Sequence, residues 1–275
     1  MSLITLLTDF GLRDEYVGVM KGVVASIHPR ATVVDITHGI DPQDVTHGAY
    51  VLAAAYTYFP AGSVHVAVID PGVGGKRRIL AVECGGHRFV APDNGLLDRV
   101  LADRPAASAV YVENQRHFLK PVSRTFHGRD IFAPVAAHLA AGRGLDELGP
   151  PVDRPQLVRG IVPGSRFKGA ACLEGSVVAA DHFGNLLTTI HASDIARLVG
   201  RSDRKQVMVH VGGQAIHGIA SSYDSVPPLT PLAIIGSRGL LEISINGGNA
   251  QQWLGAAKRD PVRVDVHRCR TGPET

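Results

Sequence analysis

The class of fold is indicated best by one segment, Val64-His-Val-Ala-Val-Ile-Asp70-Pro-Gly-Val-Gly-Gly-Lys-Arg77-Arg78. A β-branched run ends here in a carboxylate, turns on glycines and continues at once into two guanidinium groups. Open α/β sheets hold their ligands at the carboxyl ends of strands. We therefore expect Asp70 and Arg77 to lie at such an edge of a sheet.

The glycines of this segment do not make a phosphate-binding loop. Such a loop has the spacing G-x-x-x-x-G-K-[ST] and a helix behind it. Here Lys76 is followed by two arginines, and the next residues, Ile79-Leu-Ala-Val-Glu-Cys84, have the pattern of a strand. We therefore reject the binding of a nucleoside triphosphate at this loop.

The composition is that of a globular protein with room for one large domain or two ordinary ones. Apolar residues make up 45% and charged residues 19% of the 275, which argues against disorder. The net charge is only +3 and the basic residues are scattered, so no nucleic-acid partner is expected. No apolar run approaches the ~20 residues of a membrane span, so no membrane partner is expected either.

The cysteines and the first residues of the chain indicate the cellular compartment of the protein. Cys84, Cys172 and Cys269 are odd in number and widely spaced, which favours a reducing compartment over a disulfide framework. The chain begins directly with a strand pattern and lacks the basic and apolar regions of a signal peptide. We expect a cytoplasmic protein.

Strand and helix patterns alternate in the first half of the chain. This alternation predicts an α/β domain over residues 1–155, with a largely parallel sheet and helices on both faces. From 165 to 270 the pattern changes to short strands separated by turns rich in Gly, Pro and Asn, which predicts a smaller β-rich domain, a barrel or a sandwich. The predicted strands of the first domain are 3–8, 31–37, 64–69, 79–84 and 109–112.

Three polar side chains of the first domain stand where such a sheet gathers its ligands. Asp9 follows the first strand, Asp70 follows the strand at 64–69, and His127 precedes a helix. With Arg77 they are candidates for one crevice. Each also has a purely structural interpretation, because Asp9 and Asp130 can cap helices and Asp70-Pro-Gly can be a simple turn.

Other common sites find little support. The histidines form no H-x-x-x-H or H-E-x-x-H arrangement, so no metal is expected. The chain has neither the G-x-S-x-G of a serine hydrolase nor a G-x-G-x-x-G after its first strand. In the second domain, Asp181-His-Phe-Gly-Asn185 combines a turn with an aromatic ring and an amide, which can hold a flat polar ring.

Seven segments together carry a resemblance to one family. They are Leu7-Thr-Asp-Phe-Gly11, Asp14-Glu-Tyr16-Val-Gly-Val-Met-Lys-Gly22, Asp70-Pro-Gly-Val-Gly74 with Arg77, Pro92-Asp-Asn-Gly-Leu-Leu97, Phe126-His-Gly-Arg-Asp-Ile-Phe-Ala-Pro134, Asp181-His-Phe-Gly-Asn185, and Ser237-Arg-Gly followed by Asn246-Gly-Gly-Asn-Ala250. In this order, from about residue 3 to about residue 250, they resemble the S-adenosyl-L-methionine (SAM) hydroxide adenosyltransferases, SAM hydrolases that form adenosine.

The resemblance implies a fold and an assembly. It implies a Rossmann-like N-terminal domain, a β-barrel C-terminal domain and a homotrimer with active sites between subunits. SAM would be the substrate, and no cofactor would be required.

The resemblance also implies roles for individual residues. Asp70, Arg77 and His127 would activate water for attack at C5′ of SAM, and Asp9 would bind the ribose hydroxyls. The remaining candidates divide by the part of SAM that they would contact: Asp14, Asp181, Ser237 and Arg238 for the methionine part, and Phe183, Asn185 and Tyr223 for the adenine. Arg238 departs from the family's pattern, because many members have a small residue at this position.

Two alternative functions remain open at this point. Halogenating members of the same superfamily carry Tyr-Pro-x-Thr-Gly where this chain has Asp70-Pro-Gly-Val-Gly74. A carboxylate there would repel a halide, which favours the hydrolase. A sensor that only binds SAM or adenosine would need Asp9 and Asn185 but would have no use for Asp70, Arg77 and His127 together.

Overall fold

The computed structural model describes residues 2–102, 108–152, 157–158, 160, 162–200 and 206–266. The chain divides into two compact units, Met1–Val162 and Pro163–Thr275, here called the N-terminal and C-terminal units. The predicted domain ends at 155 and 270 lie outside the described residues.

The N-terminal unit is built on a six-stranded sheet with the order β2-β1-β3-β5-β4-β6. Five strands run in one direction, and β4 is antiparallel to both of its neighbours. The prediction of a mostly parallel sheet is confirmed. The strands are β1 (Leu3–Thr8), β2 (Thr32–Thr37), β3 (Val64–Val68), β4 (Ile79–Cys84), β5 (His87–Pro92) and β6 (Ser108–Tyr111).

Strand β5 was missed in the sequence, and with it the reversal of β4. The two strands form a hairpin through Gly85-Gly86, whose φ angles are +60° and +79°. Two successive positive φ values are the requirement of the tight hairpin turns that glycine pairs favour. The Gly-Gly dipeptide between two apolar runs was therefore the available signal for this hairpin.

Helices cover both faces of the sheet, because neighbouring strand residues point to opposite sides. Ile4 and Leu6 of β1 share one buried cluster with α1 and α4, whereas Thr5 points away from it and contacts His65 of β3. On that second side the His65 ring packs against Tyr56 and Phe89. The helices are α1 (Tyr16–Ile27), α2 (Val45–Ala55), α3 (Asp98–Ala102) and α4 (Ala133–Ala140).

The C-terminal unit is an antiparallel sheet in the order β11-β10-β14-β8-β9-β13-β12, with β7 on the side of β8. Ala220, just after β11, donates its N–H to Ala233 of β12 at 2.8 Å, so the sheet nearly closes into a barrel. Its elements are β7 (Arg166–Phe167), β8 (Cys172–Ala180), β9 (Leu186–His191), α5 (Ala192–Val199), β10 (Val207–Val211), β11 (Gln214–His217), β12 (Pro231–Ile235), β13 (Leu240–Ile245), α6 (Ala250–Leu254) and β14 (Pro261–Val266).

The core of this unit is apolar on the inner side of the strands, with Leu241, Ile243 and Val264 fully buried. The strands predicted around 169–180, 185–190, 206–211, 231–236 and 240–246 correspond to β8, β9, β10, β12 and β13, whereas β7, β11, β14 and α6 were not predicted. Strand β7 has only two residues, and β11 and α6 only four and five, too few to show a period.

A buried histidine makes the stability of the N-terminal unit dependent on pH. Burial, and secondly the nearby His87, lowers the pKa of His65 from 6.5 to about 3. The unfolded chain therefore binds this proton more tightly than the native state does. The native state loses stability as the pH falls from 6.5 towards 3, by up to about 1.4 kcal/mol per pH unit from this group.

We expect His65→Gln to reduce the slope of the free energy of unfolding against pH between 6.5 and 4. The measurement is urea denaturation at a series of pH values. His217→Gln, which changes an exposed histidine of β11, is the matched control and should keep the wild-type slope. An unchanged slope in His65→Gln would contradict the assignment.

Candidate active site

Two carboxylates lie at the same edge of the N-terminal sheet. Strands β1 and β3 are parallel neighbours, with Thr8 paired to Val68, so Asp9 and Asp70 follow at adjacent strand ends. Burial raises the pKa of Asp9, as does the negative charge of Asp70, while hydrogen bonds oppose the rise. The Asp9 carboxylate accepts the backbone N–H of Gln43 at 2.7 Å. Asp9 therefore orders the 42–43 turn, and the predicted alternative of a helix cap does not apply.

Arg77 joins Asp70 to His127. Its Nε donates to both carboxylate oxygens of Asp70, at 3.0 and 2.9 Å, and its Nη2 donates to the same carboxylate. The same Nη2 lies 2.6 Å from Nδ1 of His127. The ion pair is largely buried, with 5% of the Asp70 and 12% of the Arg77 side chain exposed. Bidentate pairing with a carboxylate is a strong and directional interaction.

The contact with Arg77 decides the protonation of His127. A guanidinium has only donors, so Nδ1 must accept the hydrogen bond, and the neutral ring carries its proton on Nε2. Burial, and secondly the charge of Arg77, lowers the pKa of His127. His127 is therefore a neutral imidazole near pH 7 that offers an N–H donor.

Two local features of the backbone bring Asp70, Arg77 and His127 together. Gly74, with φ +71°, lies so close to the carbonyl of Arg124 that a Cβ atom would collide with it, and this contact holds the 70–77 loop against the segment that carries His127. A π-helical turn, Gly128–Phe132, then leads into α4. Pro134 has no N–H to donate back to Asp130, whose carbonyl accepts the N–H of Leu119 instead, at 2.9 Å.

A cavity of about 590 Å³, called here the N-terminal cavity, opens beside these groups. In its wall the Phe126 ring packs edge-on against Phe10 and Tyr16, whose rings are tilted relative to each other. The described lining residues are Asp9, Phe10, Tyr16, Pro42, Gln43, Val68, Asp70, Pro71, Val73, Thr125, Phe126, His127 and Gly128. The cavity combines an aromatic wall with two carboxylates and a neutral imidazole.

Two acidic residues near this site differ from Asp9 and Asp70 in that they do not line the N-terminal cavity. Asp14 is exposed and is absent from the described lining of the cavity. Asp130 is buried, accepts the N–H of Ser123 at 2.8 Å and pairs with Arg129 at 2.6 Å. Asp130 therefore stabilises the loop before the π-helical turn and positions His127.

A second cavity, called here the C-terminal cavity, lies in the C-terminal unit and has a volume of about 680 Å³. It brings together six of the predicted residues: Asp181, Phe183, Asn185, Tyr223, Ser237 and Arg238. The other described lining residues are Leu187, Ile234, Ile235, Gly236, Glu242, Ile245, Gly247 and Gly248.

The Asp181 side chain organises the turn in this cavity. Its Oδ1 accepts the backbone N–H groups of Phe183 and Asn185, and its Oδ2 accepts the Asn185 amide, all at 2.9 Å. Asn185 is nearly buried, whereas the Phe183 ring is 73% exposed. The turn thus presents an exposed aromatic face beside a fixed amide.

Sequence reasoning missed Glu242. It is 9% exposed and lines the C-terminal cavity, where Tyr223 donates its O–H to Oε2 at 3.4 Å. Burial raises the pKa of its carboxyl group, and the charge of Arg238 opposes the rise. The available signal was an acid in the apolar run Leu240-Leu-Glu-Ile-Ser-Ile245, on the opposite side from the core residues Leu241 and Ile243.

Two features are absent from the described part of the chain. No group of three or more His, Cys, Asp or Glu side chains is arranged there to hold a metal ion. None of the helices there has both the length and the apolar character needed to cross a membrane.

Models of two family domains match the chain. The SAM hydroxide adenosyltransferase N-terminal domain matches residues 4–149, and the C-terminal domain of the same family matches residues 175–263.

Curated relatives extend this similarity over nearly the whole chain. The chain is 39% identical to "(R)-S-adenosyl-L-methionine hydrolase" of Thermus thermophilus, covering 96% of this chain and 100% of that one. It is 40% identical to the protein of the same name from Salinispora arenicola, covering 95% and 97%. A fluorinase of Actinoplanes sp. is more distant, at 28% identity over 89% of this chain and 91% of that one.

Solved structures agree with these matches. An uncharacterised conserved protein of Thermotoga maritima superposes with a TM-score of 0.87 at 35% identity, covering 95% of this chain and 99% of that one. Both domain models of one family match in order, and the curated relatives align from end to end. The chain therefore belongs to the SAM hydroxide adenosyltransferase family.

Proposed function

We propose that this protein hydrolyses SAM to adenosine and L-methionine. The contact of Arg77 with both Asp70 and His127, at the wall of a cavity that also contains Asp9, is the observation that supports this most. The names of the curated relatives support the same reaction.

The reaction balances without a redox partner. A bond forms between the water oxygen and C5′, and the bond between C5′ and the sulfonium sulfur breaks. Its electron pair goes to sulfur, which becomes the neutral thioether of methionine. One proton of the water is released, so SAM and water give adenosine, methionine and H⁺.

We call Asp70, Arg77 and His127 the triad, and each of them has a distinct part in this reaction. The Asp70 carboxylate has acceptor capacity beyond its bonds to Arg77, so it can take the proton of the water. The Nε2–H of His127 holds the water oxygen, and the guanidinium of Arg77 fixes both groups and lowers the pKa of the water. Holding the water in line with C5′ supplies the advantage of orientation.

The substrate contacts are divided between the two cavities. Asp9 binds the ribose hydroxyls in the N-terminal cavity. In the C-terminal cavity Phe183 stacks on the adenine ring. Asn185 and Tyr223 form hydrogen bonds with the edge of that adenine ring. Four residues would lie near the methionine part: Asp14, Asp181, Ser237 and Arg238. A halide has no comparable place, because the Asp70 carboxylate would repel it.

The relatives' names suggest a stereochemical preference. The sulfonium sulfur of SAM is a stereocentre, because it carries three different carbon groups and a lone pair. We propose that the (R) epimer is the preferred substrate, as in the names of the relatives.

The assembly that we propose is a homotrimer in the cytoplasm, with a Rossmann-like N-terminal domain and a β-barrel C-terminal domain. The N-terminal cavity of one subunit and the C-terminal cavity of its neighbour would hold one SAM molecule. Exposed rings in the C-terminal cavity support a neighbouring subunit there, since Phe183 is 73% and Tyr223 44% exposed. We propose that no cofactor takes part.

Purified protein should release adenosine and methionine from (R)-SAM, and faster than from the (S) epimer, with or without chloride or fluoride. Asp70→Asn should lower kcat by about 100-fold or more, since it removes the proton acceptor, while SAM still binds. Chromatography of the products and calorimetry of SAM binding are the measurements. A 5′-halogenated adenosine would indicate a halogenase, and binding of SAM without turnover would indicate a sensor.

The pKa of His127 should lie below 6.5 in the free protein and rise towards 6.5 in Arg77→Gln, because the nearby positive charge is removed. Turnover of the wild-type enzyme should fall as the pH drops through this lowered pKa, because a protonated ring no longer accepts from Arg77. NMR titration of the histidines measures the pKa, with His127→Asn for assignment. Equal values in the wild type and Arg77→Gln would contradict the coupling.

The proposed trimer makes a complementation experiment possible. Asp70→Asn disables the N-terminal cavity and Asn185→Ala the C-terminal cavity, so each variant alone should be nearly inactive. Co-expressed in equal amounts, they should recover about one quarter of the wild-type sites, as expected for random head-to-tail mixing. Recovery at the background level would count against sites shared between subunits.

A further inference from the structure

The charges in the C-terminal cavity suggest what it binds. Its described lining contains two carboxylates, Asp181 and Glu242, and one guanidinium, Arg238. With all three ionised, this lining has a net charge of −1. A ligand that brings both a cation and an anion, with an excess of positive charge, would complement it.

The two carboxylates are not equally available. All three hydrogen bonds that Asp181 accepts come from Phe183 and Asn185, so this carboxylate mainly holds its own turn in place. Among the described residues, Glu242 accepts only the 3.4 Å hydrogen bond of the Tyr223 hydroxyl and forms no ion pair. Glu242 is therefore the carboxylate with more free acceptor positions for a ligand.

A glycine at position 236 leaves space for the Glu242 carboxylate. A Cβ atom at Gly236 would collide with the Glu242 carboxylate, so glycine is required there for Glu242 to take its position. Glu242 lies on β13, opposite the core residues, and is nine-tenths buried. An ionised carboxylate that is buried without a cation is destabilising, so a cationic ligand group would remove an unfavourable feature of the free protein.

The partner charge lies close by. Arg238 and Glu242 influence each other electrostatically and line the same cavity. The free amino-acid end of SAM carries an ammonium and a carboxylate on one carbon atom, so it can engage both side chains at once. The adenine ring has a neutral amino group beside a ring-nitrogen acceptor, and that acceptor would face a carboxylate unfavourably.

We propose that Glu242 binds the α-ammonium group of the methionine part of SAM, while Arg238 binds its α-carboxylate. This inference rests on the proposed function and adds a specificity-determining residue to it. Glu242 then makes the enzyme select substrates that retain the amino group. Asp181 acts as a positioning residue for Phe183 and Asn185.

Glu242→Gln tests the proposal, because glutamine preserves size and hydrogen bonding but removes the charge. The probes are SAM, the SAM analogue with hydrogen in place of the α-amino group, L-methionine and adenosine. In the wild type, SAM should exceed the deaminated analogue in kcat/KM by ten-fold or more. In Glu242→Gln this ratio should fall to about one, mainly through KM for SAM, and L-methionine should bind about ten-fold more weakly. Adenosine should bind within two-fold of the wild type.

Two further variants make the result decisive. Glu174→Gln, the same change on β8 outside the described lining of the cavity, should behave as the wild type. Gly236→Ala displaces the Glu242 carboxylate by contact and should reproduce the loss of methionine binding, even if Glu242→Gln fails to fold. Thermal melts establish folding for all three.

The outcomes separate this inference from the proposed function. Turnover of SAM by the wild type tests the function, whereas calorimetry with L-methionine requires no turnover. Unchanged methionine binding and unchanged discrimination in the folded variants would overturn the role of Glu242. Weakened adenosine binding with normal methionine binding would place Glu242 against the adenine and would also overturn it.

Discussion

The contact of one guanidinium with a carboxylate and an imidazole is the constraint on which the rest of the site depends. Arg77 has only donors, so Nδ1 of His127 stays unprotonated and the ring stays neutral. The same guanidinium donates hydrogen bonds to both oxygens of Asp70. Burial of this set strengthens the interaction and makes the loss of any member costly. The glycine-rich 70–77 loop, the approach of Gly74 to Arg124 and the π-helical turn all serve to bring these three side chains together.

The two cavities differ in the polar groups that they contain. The N-terminal cavity contains the polar groups for chemistry at a carbon atom, next to an aromatic wall. The C-terminal cavity contains an exposed aromatic ring, a fixed amide, two carboxylates and one guanidinium. In the reaction proposed above, with Glu242 bound to an ammonium group, recognition of the amino acid and activation of water are tasks of separate units. Selectivity could then change in one unit while the chemistry of the other stayed the same.

Much of the N-terminal unit could be predicted because its strands and helices have strong periods and clear breaks. Val64–Val68 and Ile79–Cys84 are apolar runs with one polar residue each, and α1 shows helical spacing up to Ile27. The Gly85-Gly86 hairpin was missed because strand β5 contains His87 and Arg88, which weaken its apolar pattern. In the C-terminal unit the short strands β7 and β11 have too few residues for any period, and pairing with longer neighbours stabilises them.

By itself the sequence determined the residue types of the triad, the alternation that makes a mostly parallel sheet, and the motifs that place the chain in its family. Only the tertiary structure decided that Asp181 is occupied within its own turn, that Asp14 is exposed, and that Glu242 is buried in a cavity. The physical reason is that hydrogen-bond occupancy and burial are properties of groups brought together from distant parts of the chain. A local pattern shows which groups are present, but it does not show which of them remain available to a ligand.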